Sequence, residues 1–287
     1  MGEARSAPTV GQMVLGMRLR ALREAAGVSF EEAARALHVN QTTIRRMEKA
    51  EVGLKLPYVE KLLQTYRTPP AEIEAFLALA EEANKPGWWH RFRDVLPEWF
   101  SLYVSLEEAA TRIRGYEPHC VPGLLQTPEY TRALFRVGFP FAEEEELDRR
   151  VALRMQRQSL LTRTGTPPPH LWVVIEETVL RRPVGGPEVM RAQIDRLIEA
   201  TAMPNVTLQV LPFASGPHPG MFGPFQLFRF QIPELPDIVY GENLTGAGYI
   251  DQRADVAVYL EALDRMCTQA TPVHRTEAFL GAIRKEL

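Results

Sequence analysis

Apolar residues recur along this chain with two different periods, and the change between them limits the folds open to it. From Val14 to about Tyr66 the spacing is helical: Leu15, Leu19 and Leu22 fall at i, i+4 and i+7, while Arg18, Arg20, Arg23 and Glu24 take the other face. Beyond residue 170 the apolar residues come instead in short β-branched and aromatic runs, LWVVIEE, VTLQVLP, FQLFRF and DIVYGEN, bounded by Gly, Pro or Asn. A helical stretch, PEVMRAQIDRLIEAT, separates the first two runs, and a helix over 251 to about 269 is expected to close the chain. The fold class expected is mainly α with an α+β carboxy-terminal module.

At 287 residues the chain is long enough for two or three domains. The boundaries expected are a small helical domain over 1–68, a helical connector or dimerisation segment over 69–117, and a larger mixed domain over 118–287. Charge divides along the same line. Residues 1–68 hold 11 Lys and Arg against 7 Asp and Glu, net +4, and residues 69–287 hold 22 against 29, net −7. A basic head on an acidic body fits nucleic-acid binding by the head. Cys120 and Cys267 stand far apart and define neither a disulfide framework nor a zinc finger, so both are expected as buried thiols. No apolar run approaches the roughly 20 residues that cross a bilayer, and MGEARSAPTVGQ has no apolar centre. A cytoplasmic protein without membrane contact is expected.

Within the head, Gly27 stops the first helix, and Ser29 with Glu32 forms the pattern of a capping box for a second that runs to about Leu37. After His38 and Val39, Asn40 has the side chain to cap a third helix beginning at Gln41. Only Ile44 and Met47 are apolar in that helix, QTTIRRME, so it buries one narrow stripe. A helix so short is not stable alone. It must be docked by its stripe, leaving Gln41, Thr42, Thr43, Arg45 and Arg46 to face water or a partner.

These residues, over about 12–67, resemble the helix-turn-helix of the phage-repressor and XRE family. The resemblance implies that the helix from Gln41 lies in the major groove of duplex DNA. Gln41, Thr42 and Arg45 are then the expected base readers: Gln matches adenine, Arg matches guanine, and a Thr methyl meets that of thymine. Arg20, Thr43, Arg46, Lys49 and Lys55 are the expected phosphate contacts, which supply affinity without sequence information. Where the family usually has Gly at the turn, this chain has His38, a residue that tolerates positive φ better than most.

In the larger region, WWHRFRDVLPEWFSLYVSLEEAATRIRGYE gathers Trp88, Trp89, Phe92, Trp99, Phe100 and Tyr103, read as core aromatics. Thr127 and Pro128 open a helix, and EEEELDRR begins a charged one over 143 to about 162. The segments VPGLLQTPEYTRALF, VIEETVLRRPVGGPEVMRAQIDRLIEA, PNVTLQVLPFASGPHPGMFGPFQLFRF and PDIVYGENLTGAGYIDQRADVAVY are together similar to the domain of unknown function 5753. That domain follows a helix-turn-helix in many actinobacterial, antitoxin-like regulators. The resemblance implies a DNA-binding transcriptional regulator with a small partner protein encoded nearby. As a homodimer it would read an inverted repeat. The carboxy-terminal domain would then sense a small-molecule effector, bind the partner or dimerise. An interaction protein whose helix-turn-helix is secondary is the alternative.

An enzyme needs a constellation, and His119 beside Cys120, Glu176 with Glu177, His170, His218, Asp237 and Glu242 supply only scattered candidates. HExxH, GxSxG, CxxC and phosphate-loop patterns are absent from the sequence, so no catalytic residue, metal or cofactor is assigned. The loop from Ser215 to Pro224 is long and joins two expected strands. It could rim a ligand or partner pocket, with His218, Tyr240, Glu242 and Tyr249 as its polar residues.

Overall fold

The computed structural model describes residues 8–233 and 235–287; the first seven residues, part of the segment read above against a secretion signal, lie outside them. The described residues form two compact units, which divide the chain as 1–109 with 232–235 and 110–231 with 236–287. The architecture is a helical bundle and a mixed α/β body, as expected. No described helix is long and apolar enough to cross a membrane.

Unit one contains α1 (Val10–Ala25), α2 (Phe30–Leu37), α3 (Gln41–Glu48), α4 (Leu56–Thr65), α5 (Pro70–Ala83) and α6 (Glu98–Ala109). The first helix starts a turn earlier than its apolar period indicated, because Thr9 caps it in a capping box with Gln12. Leu15 and Leu19 of α1 meet Ala33, Ala34 and Leu37 of α2, Ile44 and Met47 of α3, and Val59, Leu62 and Leu63 of α4 in one core. Phe76 and Ala80 of α5 belong to that same core. The first division of the chain therefore falls at 109/110, and α5 packs within the first unit. Trp89, Phe92 and Tyr103 are buried, while Trp88, Trp99 and Phe100 are half-buried; Phe100 stacks on Tyr103 with centroids 4.6 Å apart.

Unit two is built on β1 (Arg112–Glu117), α7 (Pro128–Gly138), α8 (Glu144–Gln158), β2 (His170–Glu176), α9 (Glu177–Arg181), α10 (Pro187–Thr201), β3 (Val206–Leu211), β4 (Phe225–Arg229), β5 (Ile238–Asn243), β6 (Gly246–Ile250), α11 (Arg253–Gln269) and α12 (Thr276–Glu286). The six strands lie in the order β3-β2-β1-β4-β5-β6. The first three are parallel, which their helical crossovers permit, and β4 to β6 run antiparallel through short connections. Tyr116, Val174, Leu211, Phe225, Leu227 and Val239 share a core with Val256, Leu263 and Met266 of α11.

Three elements depart from the sequence reading. RIRGYE is a strand, not the tail of an aromatic helical segment, and it sits at the centre of the sheet. GAGYI pairs with β5 as an edge strand despite its glycines. The chain does not close on α11: Thr276 Oγ1 donates to the Leu208 carbonyl at 2.8 Å and starts α12, which buries Leu280 and Ile283.

Candidate nucleic-acid interface

The candidate surface is the amino-terminal half of α3. Ser29 Oγ accepts from Glu32 N, and Glu32 Oε2 accepts from Ser29 N at 2.8 Å, so the expected capping box starts α2. His38 ends α2 with φ 54° and ψ 42°, the left-handed conformation anticipated for the turn. Asn40 Oδ1 then accepts from Thr43 N at 2.8 Å and from Thr43 Oγ1 at 3.0 Å, fixing the first turn of α3. Ile44 and Met47 are buried, and Gln41, Thr42 and Arg45 are exposed beside one another on the opposite side.

Arg20, Lys49 and Lys55 are exposed; Thr43 and Arg46 are half-buried. Arg20 Nε donates to Glu24 at 2.8 Å, Arg46 lies 3.6 Å from Glu51, and Lys55 lies 5.8 Å from the Tyr58 ring centre. Arg45 rests on the ring of Phe30, its guanidinium carbon 4.5 Å from the centroid.

The carboxyl end of α3 is held by contacts that sequence spacing did not suggest. Arg23 Nε donates to Glu48 Oε1 at 2.6 Å and Arg23 Nη2 to Glu48 Oε2 at 3.1 Å, with both side chains buried. The hydrogen bond to Glu48 raises the Arg23 pKa above its ordinary value. Arg23 also donates to the Val28 carbonyl at 3.1 Å and lies over Phe30 at 4.0 Å, so one guanidinium links α1, α2 and α3. Beside it α1 touches the end of α3 at Gly16, where a Cβ would stand 2.6 Å from the Glu48 carbonyl oxygen. The only hint in the sequence was an arginine in the last turn of an otherwise leucine-lined helix.

Unit two separates the four residues grouped above as a pocket. His218 Nε2 lies 2.9 Å from Glu176 Oε1, which also accepts from Tyr116 Oη at 2.5 Å. His218 Nδ1 is buried without a partner. This cluster clamps the loop after β3 to the sheet, for a Cβ on Gly220 would stand 2.5 Å from the Tyr116 ring. Tyr240, Glu242 and Tyr249 go elsewhere: Tyr240 Oη donates to Glu242 at 2.7 Å, and the Tyr240 and Tyr249 rings lie 5.3 Å apart across β5 and β6. Tyr240 pairs with Gln226, whose Nε2 donates to Glu117 Oε1 at 3.1 Å. Tyr116 and Glu117 are successive residues of one strand and point to opposite faces, so the sheet stands between the two groups.

Burial, with the negative charge of Glu242 added, pushes the Glu117 carboxyl up to about 7. Burial likewise pushes the Cys120 thiol up to about 12 and raises that of Cys267. Both cysteines are free and half-buried rather than fully buried, and neither is poised as a thiolate. His119 and His170 are exposed. Among the described residues no group of three or more His, Cys, Asp or Glu is placed to hold a metal ion.

Comparison with known families finds two matches along the chain. A model of a helix-turn-helix domain matches residues 14–76, and the model of the domain of unknown function DUF5753 matches residues 100–282. No curated protein matches the chain, and no solved structure does. The helix-turn-helix match points to a DNA-binding regulator rather than an enzyme. Covering well over half of the sequence, the second match shows that the chain belongs to the DUF5753 family, here carrying a helix-turn-helix domain ahead of it.

Proposed function

We propose that this protein is a sequence-specific transcriptional regulator of the XRE type that binds an inverted repeat in duplex DNA as a homodimer, and that unit two receives its signal. One observation carries the reading. An eight-residue helix, capped by Asn40 and docked by Ile44 and Met47, offers Gln41, Thr42 and Arg45 to solvent. A helix of that size fits the major groove, and these side chains match base edges there. Arg20, Arg46, Lys49 and Lys55 are the phosphate contacts. The exposed pair of Arg20 with Glu24, like that of Arg46 with Glu51, is weak enough for a phosphate to replace the carboxylate. Thr43 is the weakest member of the set, because its hydroxyl already donates to Asn40.

The test is recovery of sheared genomic duplex by the purified protein, followed by titration of the recovered repeat. Arg45→Ala should cost roughly 1–3 kcal/mol on the preferred sequence and relax preference at one base pair, whereas Lys55→Ala should weaken all sequences alike and lower the salt slope by about 1. Equal loss on every sequence from both changes removes the assignment of roles.

A second reading, an antitoxin-like module that works through a small partner protein, is favoured by Phe213, Met221 and Phe222. These are 60%, 70% and 98% exposed around the loop between β3 and β4. A complex made through them persists at high salt, where DNA binding through phosphates falls steeply.

A further inference from the structure

Unit two holds a second cluster that neither DNA reading nor the clamp at His218 uses. On one face of the sheet Arg112 and Arg114 of β1 stand two residues apart. Arg112 is in register with His170 of β2 and Arg229 of β4, and Arg114 with Trp172 and Leu227. Together with Thr207 of β3 these residues line a cavity of about 310 Å³. That is the lower end of the range for small-molecule sites.

Like charges placed opposite each other on neighbouring strands destabilise a sheet, yet Arg112 faces Arg229 directly. Two of the three arginines have acids. Arg229 makes a forked pair with Asp237 at 2.6 and 3.1 Å, and Arg114 Nη2 donates to Asp264 at 2.7 Å. Arg112 is exposed, and no acid among the described residues pairs with it. Arg114 Nε is buried with no hydrogen-bond partner. Positive charge and an unused donor therefore converge on a cavity whose remaining wall is Leu171, Trp172 and Leu227 with the polar His170 and Thr207. That wall is rigid: Trp172 Nε1 donates to Gln209 Oε1 at 2.9 Å, and Gln209 Nε2 donates to the carbonyls of Cys267 and Thr271 at 3.1 and 2.9 Å.

We propose that this cavity binds a small organic anion, a carboxylate or phosphate carried on a flat apolar body, as the signal that unit two receives. The Arg112 guanidinium takes the charge in a fork of two hydrogen bonds. Leu227, the arginine stems and the part of Trp172 not covered by the Arg114 guanidinium, which lies 4.8 Å from its ring centre, take the apolar body. The inference rests on the reading of unit two as a receiver, and its test measures binding in the absence of DNA, so either can fail alone.

The full chain is titrated calorimetrically with benzoate, phenyl phosphate, neutral benzamide and inorganic phosphate, and the titrations are repeated with Arg112→Gln. At least one organic anion should bind once per chain, with benzamide and inorganic phosphate about tenfold weaker or more, and Arg112→Gln should weaken the organic anion by about tenfold or more. The thermal midpoint of that variant, measured without ligand, should not fall, since Arg112 lies at the surface. Failure of both organic anions to bind overturns the proposal, as does equal binding by benzamide or by the Arg112→Gln variant. Inorganic phosphate binding as tightly as phenyl phosphate refutes the organic class. If no organic anion binds and Arg112→Gln instead weakens duplex DNA, these arginines belong to the DNA surface and the proposal falls.

Discussion

Replacing Glu48 by methionine tests how α3 is held. The substitution keeps the side chain's length and removes the two Glu48 oxygens that accept from Arg23, whose side chain is 7% exposed against 4% for Glu48. A buried charge left without its partner costs roughly 3–5 kcal/mol. Arg23 keeps its bond to the Val28 carbonyl, a longer contact with Glu24 at 3.5 Å and its place on Phe30. The lower end, about 3 kcal/mol, is therefore expected for Glu48→Met. Arg23→Met strands the carboxylate instead, and should cost at least as much. Removing both charges together leaves an apolar contact, so the double variant should return to within about 1 kcal/mol of the parent. The assay is amide hydrogen exchange along α1 to α4, which reads the opening of this bundle separately from unit two. A single variant within about 1 kcal/mol of the parent, or a double variant equal to the sum of the singles, would refute the argument.

Gly16→Ala drives a methyl against the Glu48 carbonyl oxygen and should cost roughly 1–3 kcal/mol, with a parallel loss of DNA affinity; an unchanged exchange pattern in α3 counts against this close approach. Phe30→Leu removes the ring under both Arg23 and Arg45, a loss of about 1 kcal/mol or more in stability. Its effect on DNA affinity should shrink in an Arg45→Ala background, and full additivity in that cycle excludes a presenting role for the ring. The raised Glu117 carboxyl means that the folded chain holds this proton more tightly than the unfolded chain does. Its contribution to stability is complete below about 4.5 and is lost as pH rises to about 7. Glu117→Gln should remove that loss, so the thermal midpoint of the variant minus that of the parent grows between pH 5 and 8; parallel profiles would rule it out.

What could be read in the sequence was local. The capping residues Ser29, Glu32, Asn40 and Thr127 act within three positions of themselves, and each starts the helix expected of it. Thr9 with Gln12 carries the same signal, but it lies ahead of the first clear leucine period, so the period alone places the start of α1 too late. β1 escaped notice because its alternation is Arg-Ile-Arg-Gly-Tyr-Glu. A central strand is ordinarily apolar on both faces, and here one face is given to arginines and to Tyr116. β6 has too few side chains to show a period. The pair of Arg23 with Glu48 spans 25 residues, and the cavity draws on four strands. Neither could be seen until the chain had folded. The grouping of His218 with Tyr240 failed for a related reason: a sequence shows that residues lie near strand ends, but not which face of the sheet they occupy.

The unequal anchoring of α3 bears on how such a head works. Its amino end is set by the cap at Asn40 and by Ile44 in the core, and Gln41 and Thr42 there are exposed. Its carboxyl end is set three times over, by Met47 in the core, by Gly16 in backbone contact and by the Arg23–Glu48 pair. Since eight residues do not form a stable helix in isolation, the position of Gln41, Thr42 and Arg45 is inherited from α1 and α2, against both of which α3 packs. A shift of α1 toward α3 must move α3, because the contact at Gly16 leaves no room for closer approach. Changes on α1 that never touch DNA should therefore alter recognition as strongly as some changes on α3, and they should alter it for every base the helix reads. That pattern separates a rigid reading head from one whose recognition helix orders only against its target. In the second case substitutions on α1 would change stability and leave base preference where it was.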